Sequence, residues 1–173
     1  MIRLLKKLWS LFWKTSKDKR QKPNEANYPE SFYRGVQNET DVDENNYLKA
    51  SAFLFGSQVR DSDGMSELSI NWNDCDEALT ILLNQKNKKG TELMFKPGYA
   101  SIQLSRFTTT VINQLKDGYV SYERRPILED RNNGIKANPY HGNILIHKSA
   151  SDQMKKNIQH VLASIADFTR RTG

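Results

Sequence analysis

The chain of 173 residues contains one cysteine, Cys75, so it can form no internal disulfide bond and offers no cysteine cluster for a zinc site. A single thiol is typical of proteins from a reducing compartment, and we expect a cytoplasmic protein. The sequence also lacks a phosphate-binding loop, a nucleophile elbow and a His-Glu-x-x-His motif. We therefore expect no bound metal and no cofactor, and the motifs leave open whether the chain is an enzyme.

The positive charge of the chain is concentrated at its N-terminus. The whole sequence has a net charge of +6, but residues 1–22 contain eight basic residues and one acidic residue. The remaining residues therefore carry a net charge of −1. Because a basic balance indicates an anionic partner only where the charge lies, we do not expect the rest of the chain to bind nucleic acid.

Residues 1–17 have the pattern of a basic amphipathic helix. On a helical wheel the apolar residues fill one continuous arc of about 200°: Ile2, Leu4, Leu5, Leu8, Trp9, Leu11, Phe12 and Trp13. The opposite sector holds Arg3, Lys6, Lys7, Ser10, Lys14 and Lys17. The apolar run is too short for a transmembrane span. Three partners are open: an anionic membrane surface, which would make the protein peripheral to the inner face of the membrane, the domain of the same chain, or a partner protein.

A polar linker over residues 18–29 follows this helix, and it contains Pro23 and Pro29. Residues 30–173 are predicted to form a single α+β domain with a small mixed or antiparallel sheet. Strands are expected at residues 31–36, 49–55, 68–72, 91–95, 119–124 and 143–147, and residues 99–115 fit either a strand or a helix. The sequence does not predict the oligomeric state.

Two helices are predicted within this domain. The first covers residues 75–85, with Asn73 or Asp74 as its N-cap. The second is amphipathic with Ser149 as its N-cap, and its apolar positions recur at helical spacing from Met154 to Phe168. We expect this C-terminal helix to end near residues 170–171.

His141 is the first candidate catalytic residue, within the segment Asn138-Pro139-Tyr140-His141-Gly142-Asn143. Histidine titrates near neutral pH and can act as an acid, a base or a ligand. The structural alternative is that Asn138 caps the turn and that His141 bonds a backbone carbonyl.

Arg34 is the second candidate catalytic residue. Arg34 on an early strand, Ser69 on a later strand and Glu123 near the end follow an order similar to that of one class of ADP-ribosyltransferases. In that class the arginine holds the phosphate of NAD and the glutamate acts on the ribose, which implies a nucleotide pocket here. The second acidic or amide residue two positions before the glutamate is absent in this chain, and Arg34 is also compatible with an ordinary ion pair.

Four segments together resemble a group of short bacterial proteins to which no activity is assigned. They are Tyr33-Arg34, Ser51-Ala52-Phe53, Leu68-Ser69-Ile70 and the segment from Asn138 to Leu145. The resemblance covers about residues 32–146 and implies a bacterial cytoplasmic origin.

Two functions thus remain open at the level of sequence. The first is an accessory or interaction protein that docks through its N-terminal helix. The second is a small enzyme acting on a nucleotide, either ADP-ribosyltransferase-like or a hydrolase, with His141 and Arg34 in the pocket.

Overall fold

A computed structural model describes residues 28–56, 64–87, 89–115, 119–130 and 135–172. Six strands form one sheet in this part of the chain: β1 (Ser31–Val36), β2 (Ser66–Trp72), β3 (Gly98–Gln103), β4 (Val120–Arg124), β5 (His141–Ile146) and β6 (Asp167–Arg170). The predicted helix of residues 1–17, and the linker up to residue 27, lie outside the described residues.

The sheet is antiparallel throughout, with the strand order β4-β5-β2-β1-β3-β6. This confirms the predicted α+β class and selects the antiparallel form of the sheet. The pairing of β1 with β2 is short, since it joins only Phe32 to Trp72 and Tyr33 to Asn71. Beyond that point the two central strands separate, and Arg34 lies where they do so.

Three α-helices accompany the sheet in the described residues: α1 (Asp76–Leu83), α2 (Leu104–Phe107) and α3 (Asp152–Ile165). A π-helical turn, Thr108–Ile112, continues α2. Side chains from α2 and α3 pack with Phe32, Trp72 and Ile144 in one hydrophobic core. We call the face of the sheet that carries these three residues the core face. The mid-chain helix α1 and the amphipathic helix α3 confirm the two predicted helices.

Two predicted strands have a different structure, and the segment that fitted either a strand or a helix contains both. Residues 50–53 form a 3-10 helix, which places the neighbouring residues Ala52 and Phe53 in the core together. A strand would have turned them to opposite faces. Residues 91–95 contain only an isolated bridge at Leu93, and β3 starts later, at Gly98. The threonine-rich part of residues 99–115 is helical, because its buried residues Phe107 and Val111 are spaced one helical turn apart.

The helix ends also differ from the prediction. Cys75 is the N-cap residue of α1, because Asp74 binds Arg124 and Asn73 binds Ser31 instead. The cap of α3 is Ser151, whose hydroxyl accepts a hydrogen bond from the Met154 backbone nitrogen at 3.2 Å. The helix ends at Ile165, and residues 167–170 pair with β3 as the edge strand β6 rather than extending the helix.

Candidate functional site

The strand pairings place several polar residues on the face of the sheet opposite the core. Tyr33 pairs with Asn71, and Asn71 pairs with His141, so their three side chains share one face. We call this the polar face. Asn143 lies two residues beyond His141 on β5 and points to the same side, opposite Ser69 on one neighbouring strand and Glu123 on the other.

His141 is half-buried on the polar face and its ring orientation is fixed. Its Nδ1 atom lies 2.8 Å from the backbone carbonyl oxygen of Arg125. Because a carbonyl only accepts, Nδ1 carries the proton and Nε2 keeps its lone pair. Burial lowers the pKa of His141, and the positive charge of Arg125 lowers it further, against the opposing effects of that hydrogen bond, Glu67 and Glu123. The imidazole is therefore neutral at pH 7, with an Nε2 atom that can accept a proton.

A chain of buried amides explains the segment that precedes His141. The Asn138 side chain accepts a hydrogen bond from the Tyr140 backbone nitrogen and donates one to Asn71 Oδ1, at 3.2 and 3.0 Å. Asn71 Nδ2 in turn donates to the carbonyl oxygen of Ala78 in α1, at 3.2 Å. These contacts match the structural alternative in which Asn138 caps the turn, and they hold the turn against β2 and α1.

Tyr140 links the same turn to the start of α1. Its hydroxyl donates to Glu77 Oε2 at 2.8 Å and accepts from Cys75 Sγ at 3.4 Å. Hydrogen bonds with Cys75 and Glu77 raise the pKa of Tyr140, so the phenol stays protonated. Cys75 thus donates a hydrogen bond to the turn.

Asn143 is the residue on the polar face that sequence reasoning did not single out. It is 1% exposed, and neither its Nδ2 nor its Oδ1 atom has a hydrogen-bond partner. Arg125 follows β4 and Glu67 lies on β2, and the two side chains form an ion pair at 2.5 Å. Because β5 lies between β4 and β2, this ion pair crosses β5 near Asn143. The signal in the sequence was a polar residue directly before the apolar run Ile144-Leu145-Ile146.

Arg34 lies on the other side of the sheet. It pairs with Ala100, a core residue, and its guanidinium donates to the carbonyl oxygens of Ser69 and Ala52, at 3.0 and 3.5 Å. Burial lowers the pKa of Arg34 to about 10, against the opposing effect of Asp41, so the side chain remains charged at neutral pH. These contacts give Arg34 a structural role, since it supplies hydrogen bonds where the pairing of β1 with β2 stops.

The structure therefore does not bring the two candidate catalytic residues together. Arg34 is on the core face, whereas His141 and Glu123 are on the polar face, so no single pocket holds the arginine with either of them. The predicted docking residues fall outside the described part of the chain: Leu4, Leu5, Lys6, Lys7, Leu8, Trp9, Phe12, Trp13 and Lys14.

An apolar groove of about 360 Å³ lies on the helical side of the molecule, between the π-helical turn after α2 and helix α3. We call it the α2–α3 groove. Val111 and Ile158 form its buried floor, with half-buried Leu115, Met154 and Val161 around them. Its rim consists of uncharged polar residues, among them Gln114, Gln153 and Asn157. Such a lining suits an apolar side chain better than a phosphate or a nucleotide.

A wider, more polar depression of about 700 Å³ lies next to the C-terminus of α3 and contains Arg106 and His160. Arg106 donates to the carbonyl oxygen of Ile165 at 3.2 Å and so caps the last turn of α3. His160 is exposed on the same helix.

Comparison with known proteins adds no functional assignment: no family model, curated protein or solved structure matches the chain. Within the described residues, no helix combines the length and apolar character needed to cross a bilayer. In that same part of the chain, no three His, Cys, Asp or Glu side chains are grouped as metal ligands.

Proposed function

We propose that the chain is a bacterial accessory protein that binds the anionic inner face of the cytoplasmic membrane through a helix formed by residues 1–17. The observation that carries this proposal is the segregation of charge. Residues 1–22 hold a net charge of +7, and the rest of the chain holds −1. The body thus has little attraction of its own for an anionic surface, and recruitment depends on the N-terminal segment.

The width and composition of the apolar arc support lipid as the partner. A helix that packs on protein needs an apolar stripe of about 100°, whereas this arc covers about 200°. Trp9 and Trp13 lie within it, and indole rings favour the boundary between headgroups and acyl chains. Lys6, Lys7 and Lys14 lie opposite, where they can meet anionic headgroups while the arc enters the bilayer.

The body provides a fixed anchor for this segment at Tyr28. The Tyr28 ring lies 4.7 Å from Trp72 and 4.9 Å from Tyr122, between ring centroids, and Arg124 stacks over it at 5.5 Å. Arg124 itself is held by two hydrogen bonds to the Asp74 carboxylate, at 2.8 and 2.6 Å. The packed body therefore includes Tyr28, and the residues before it connect this anchor to the proposed membrane helix.

The proposal is tested by binding the full-length protein to vesicles. We expect binding to vesicles with anionic lipid at low salt and much weaker binding to zwitterionic vesicles. Leu8→Ser with Phe12→Ser should abolish binding, because each change removes about 1.5–3 kcal/mol of burial. Changing Lys6, Lys7 and Lys14 to Gln should weaken binding by about 1 kcal/mol per lysine, or roughly 100-fold in total.

Two control variants isolate the helix. Leu54→Ser with Leu128→Ser removes two apolar residues from the body, which are 60% and 82% exposed, and should leave binding unchanged. The second control changes Lys19, Arg20 and Lys22 of the linker to Gln. It removes three positive charges, as the helix variant does, and should weaken binding less than that variant. If the full-length protein ignores anionic vesicles at low salt, the membrane proposal is wrong and the helix is a protein-docking element.

A further inference from the structure

The α2–α3 groove exposes apolar side chains that the body itself does not cover. Leu115, Met154 and Val161 are half-buried around a buried floor, and none of the described residues that line the groove is charged. The occupant that this surface fits is an amphipathic helix that contributes apolar side chains at intervals of three or four residues.

The chain carries such a segment at a suitable distance. Tyr28 contacts Tyr122, whose ring centroid lies 6.2 Å from that of Phe107, and Val111 on the groove floor follows one helical turn later. These steps place the backbone of Tyr28 within about 30 Å of the groove, counting 1.5 Å per residue along the helix and the lengths of the Tyr28 and Phe107 side chains. Residues 18–27 can span about 33 Å when extended, so the helix of residues 1–17 can reach it.

The length of the groove also agrees with the length of helix that would fill it. Helix α3 lines the groove from Ser151 to Val161, a length of about 15 Å at 1.5 Å per residue. Leu5, Leu8 and Phe12, at the centre of the apolar arc, cover about 10 Å of a helix. One face of the N-terminal helix can therefore fill the groove, while its lysines stay in solvent, because the described residues of the rim include no carboxylate.

We propose that the α2–α3 groove is the resting position of residues 2–13 of the same chain when no membrane is present. This inference rests on the proposed function, because it makes the groove and the lipid surface compete for Leu5, Leu8 and Phe12. Membrane binding then requires the helix to leave the groove, and the apparent affinity for vesicles is the intrinsic affinity multiplied by the fraction of molecules whose helix is out of the groove.

The full-length protein contains its own reporters for the test. Of the three tryptophans, Trp9 and Trp13 belong to residues 1–17, and Trp72 is 0% exposed in the core. We expect acrylamide to quench the wild-type protein weakly without vesicles. Met154→Glu places a charge in the groove and should raise the quenching constant at least twofold. Lys156→Gln makes the same change in net charge at an exposed position outside the groove lining, and should leave quenching unchanged.

Vesicle binding separates this inference from the proposed function. If the groove holds the helix in nine of ten molecules, Met154→Glu should tighten binding to anionic vesicles about tenfold. Unchanged quenching and unchanged vesicle affinity in Met154→Glu would overturn the groove proposal and leave the membrane proposal standing. In the opposite outcome, Met154→Glu exposes tryptophans that are shielded in the wild type, but the protein does not bind vesicles. That result would support the groove proposal and overturn the membrane proposal.

A crosslink identifies the occupant directly and does not depend on Met154. In a Cys75→Ser background, Phe12→Cys with Asn157→Cys should form a disulfide within one chain on mild oxidation. Phe12→Cys with Ser69→Cys is the control, because Ser69 is exposed on the polar face. A crosslink that forms equally with Ser69, or only between two chains and only at high protein concentration, would overturn the proposal.

Discussion

Replacing Asn143 by leucine should stabilise the protein, although it removes a polar residue from a buried position. Asn143 is 1% exposed, and both polar atoms of its side chain lack a hydrogen-bond partner. A buried polar group left unsatisfied costs about 1–3 kcal/mol. Leucine has the same number of side-chain heavy atoms and the same branch at Cγ, so it fills the same space without that cost. We expect a gain of about 1–3 kcal/mol in the free energy of unfolding.

The assay is thermal or urea unfolding of the full-length protein at pH 7. For a chain of this size, a gain of 1 kcal/mol raises the melting temperature by roughly 2–4 °C, so the expected increase is about 2–12 °C. The matched control is Asn71→Leu on the neighbouring strand. Asn71 is also 1% exposed, but its side chain is bonded to Asn138 and to the Ala78 carbonyl. Its replacement leaves those partners unsatisfied and should lower the melting temperature.

A result in which both leucine variants are equally destabilised would refute the reasoning. It would mean that Asn143 has hydrogen-bond partners in solution and that the polar face is satisfied like the amide chain at Asn71. A stabilised Asn143→Leu would instead show that the chain tolerates an unfavourable residue at this position. The polar face would then be the first place to look for an activity that the amide serves.

Two further predictions concern the residues next to Asn143 on β5. The folded state lowers the pKa of His141 from its ordinary value of 6.5, so the unfolded chain binds the proton more readily and the free energy of unfolding should fall as the pH drops below 6.5. Urea unfolding at several pH values measures this loss. We expect a shallower loss in His141→Asn, and an unchanged slope would contradict the prediction. Gly142→Ala places a methyl group against the Trp72 indole nitrogen and the Glu123 carbonyl oxygen, so it should cost about 1–3 kcal/mol; an unchanged melting temperature would contradict this packing.

The elements that the sequence predicted correctly are those in which local pattern and burial agree. The residues from Leu68 to Trp72 alternate between apolar and polar, and β2 has this alternation because one of its faces is core. The terminal helix has apolar residues at helical spacing, and Ile158, Leu162 and Ile165 are indeed buried. In both cases the periodicity of the side chains is itself the consequence of burial on one side.

Tertiary contacts overrode a local preference in one segment that the sequence left open and in one strand that it predicted wrongly. Thr108, Thr109 and Thr110 favour a strand by propensity, yet they lie in a helical segment that carries Phe107 and Val111 into the core. The hydroxyl groups of Thr109 and Thr110 donate hydrogen bonds to the backbone carbonyl oxygens four residues earlier, so both hydroxyl groups have partners within the helix. Phe53 similarly lies in a 3-10 helix rather than a strand, because this conformation places its side chain in the core.

The separation of Arg34 from His141 could not be predicted from the sequence at all. Each residue occupies a strand, and a strand presents successive side chains to opposite faces. The side chain of His141 lies on the same face as that of Asn71, because the two residues are paired. Asn71 is in turn paired with Tyr33, which therefore lies on this face, and Arg34 lies on the opposite one. A shift of one residue in either pairing would have moved Arg34 and His141 to the same side. No local signal in the sequence fixes that register.

The same register separates the proposed docking groove from the polar face. Tyr28 contacts Trp72 and Tyr122, which both belong to the hydrophobic core, so the N-terminal segment joins the body on the side that carries α2 and α3. His141 and Asn143 point to the other side of the sheet. A helix seated in the α2–α3 groove therefore does not cover the polar face. Substitutions at Met154 and at Asn143 should act independently, because they alter surfaces on opposite sides of the sheet with no shared partner.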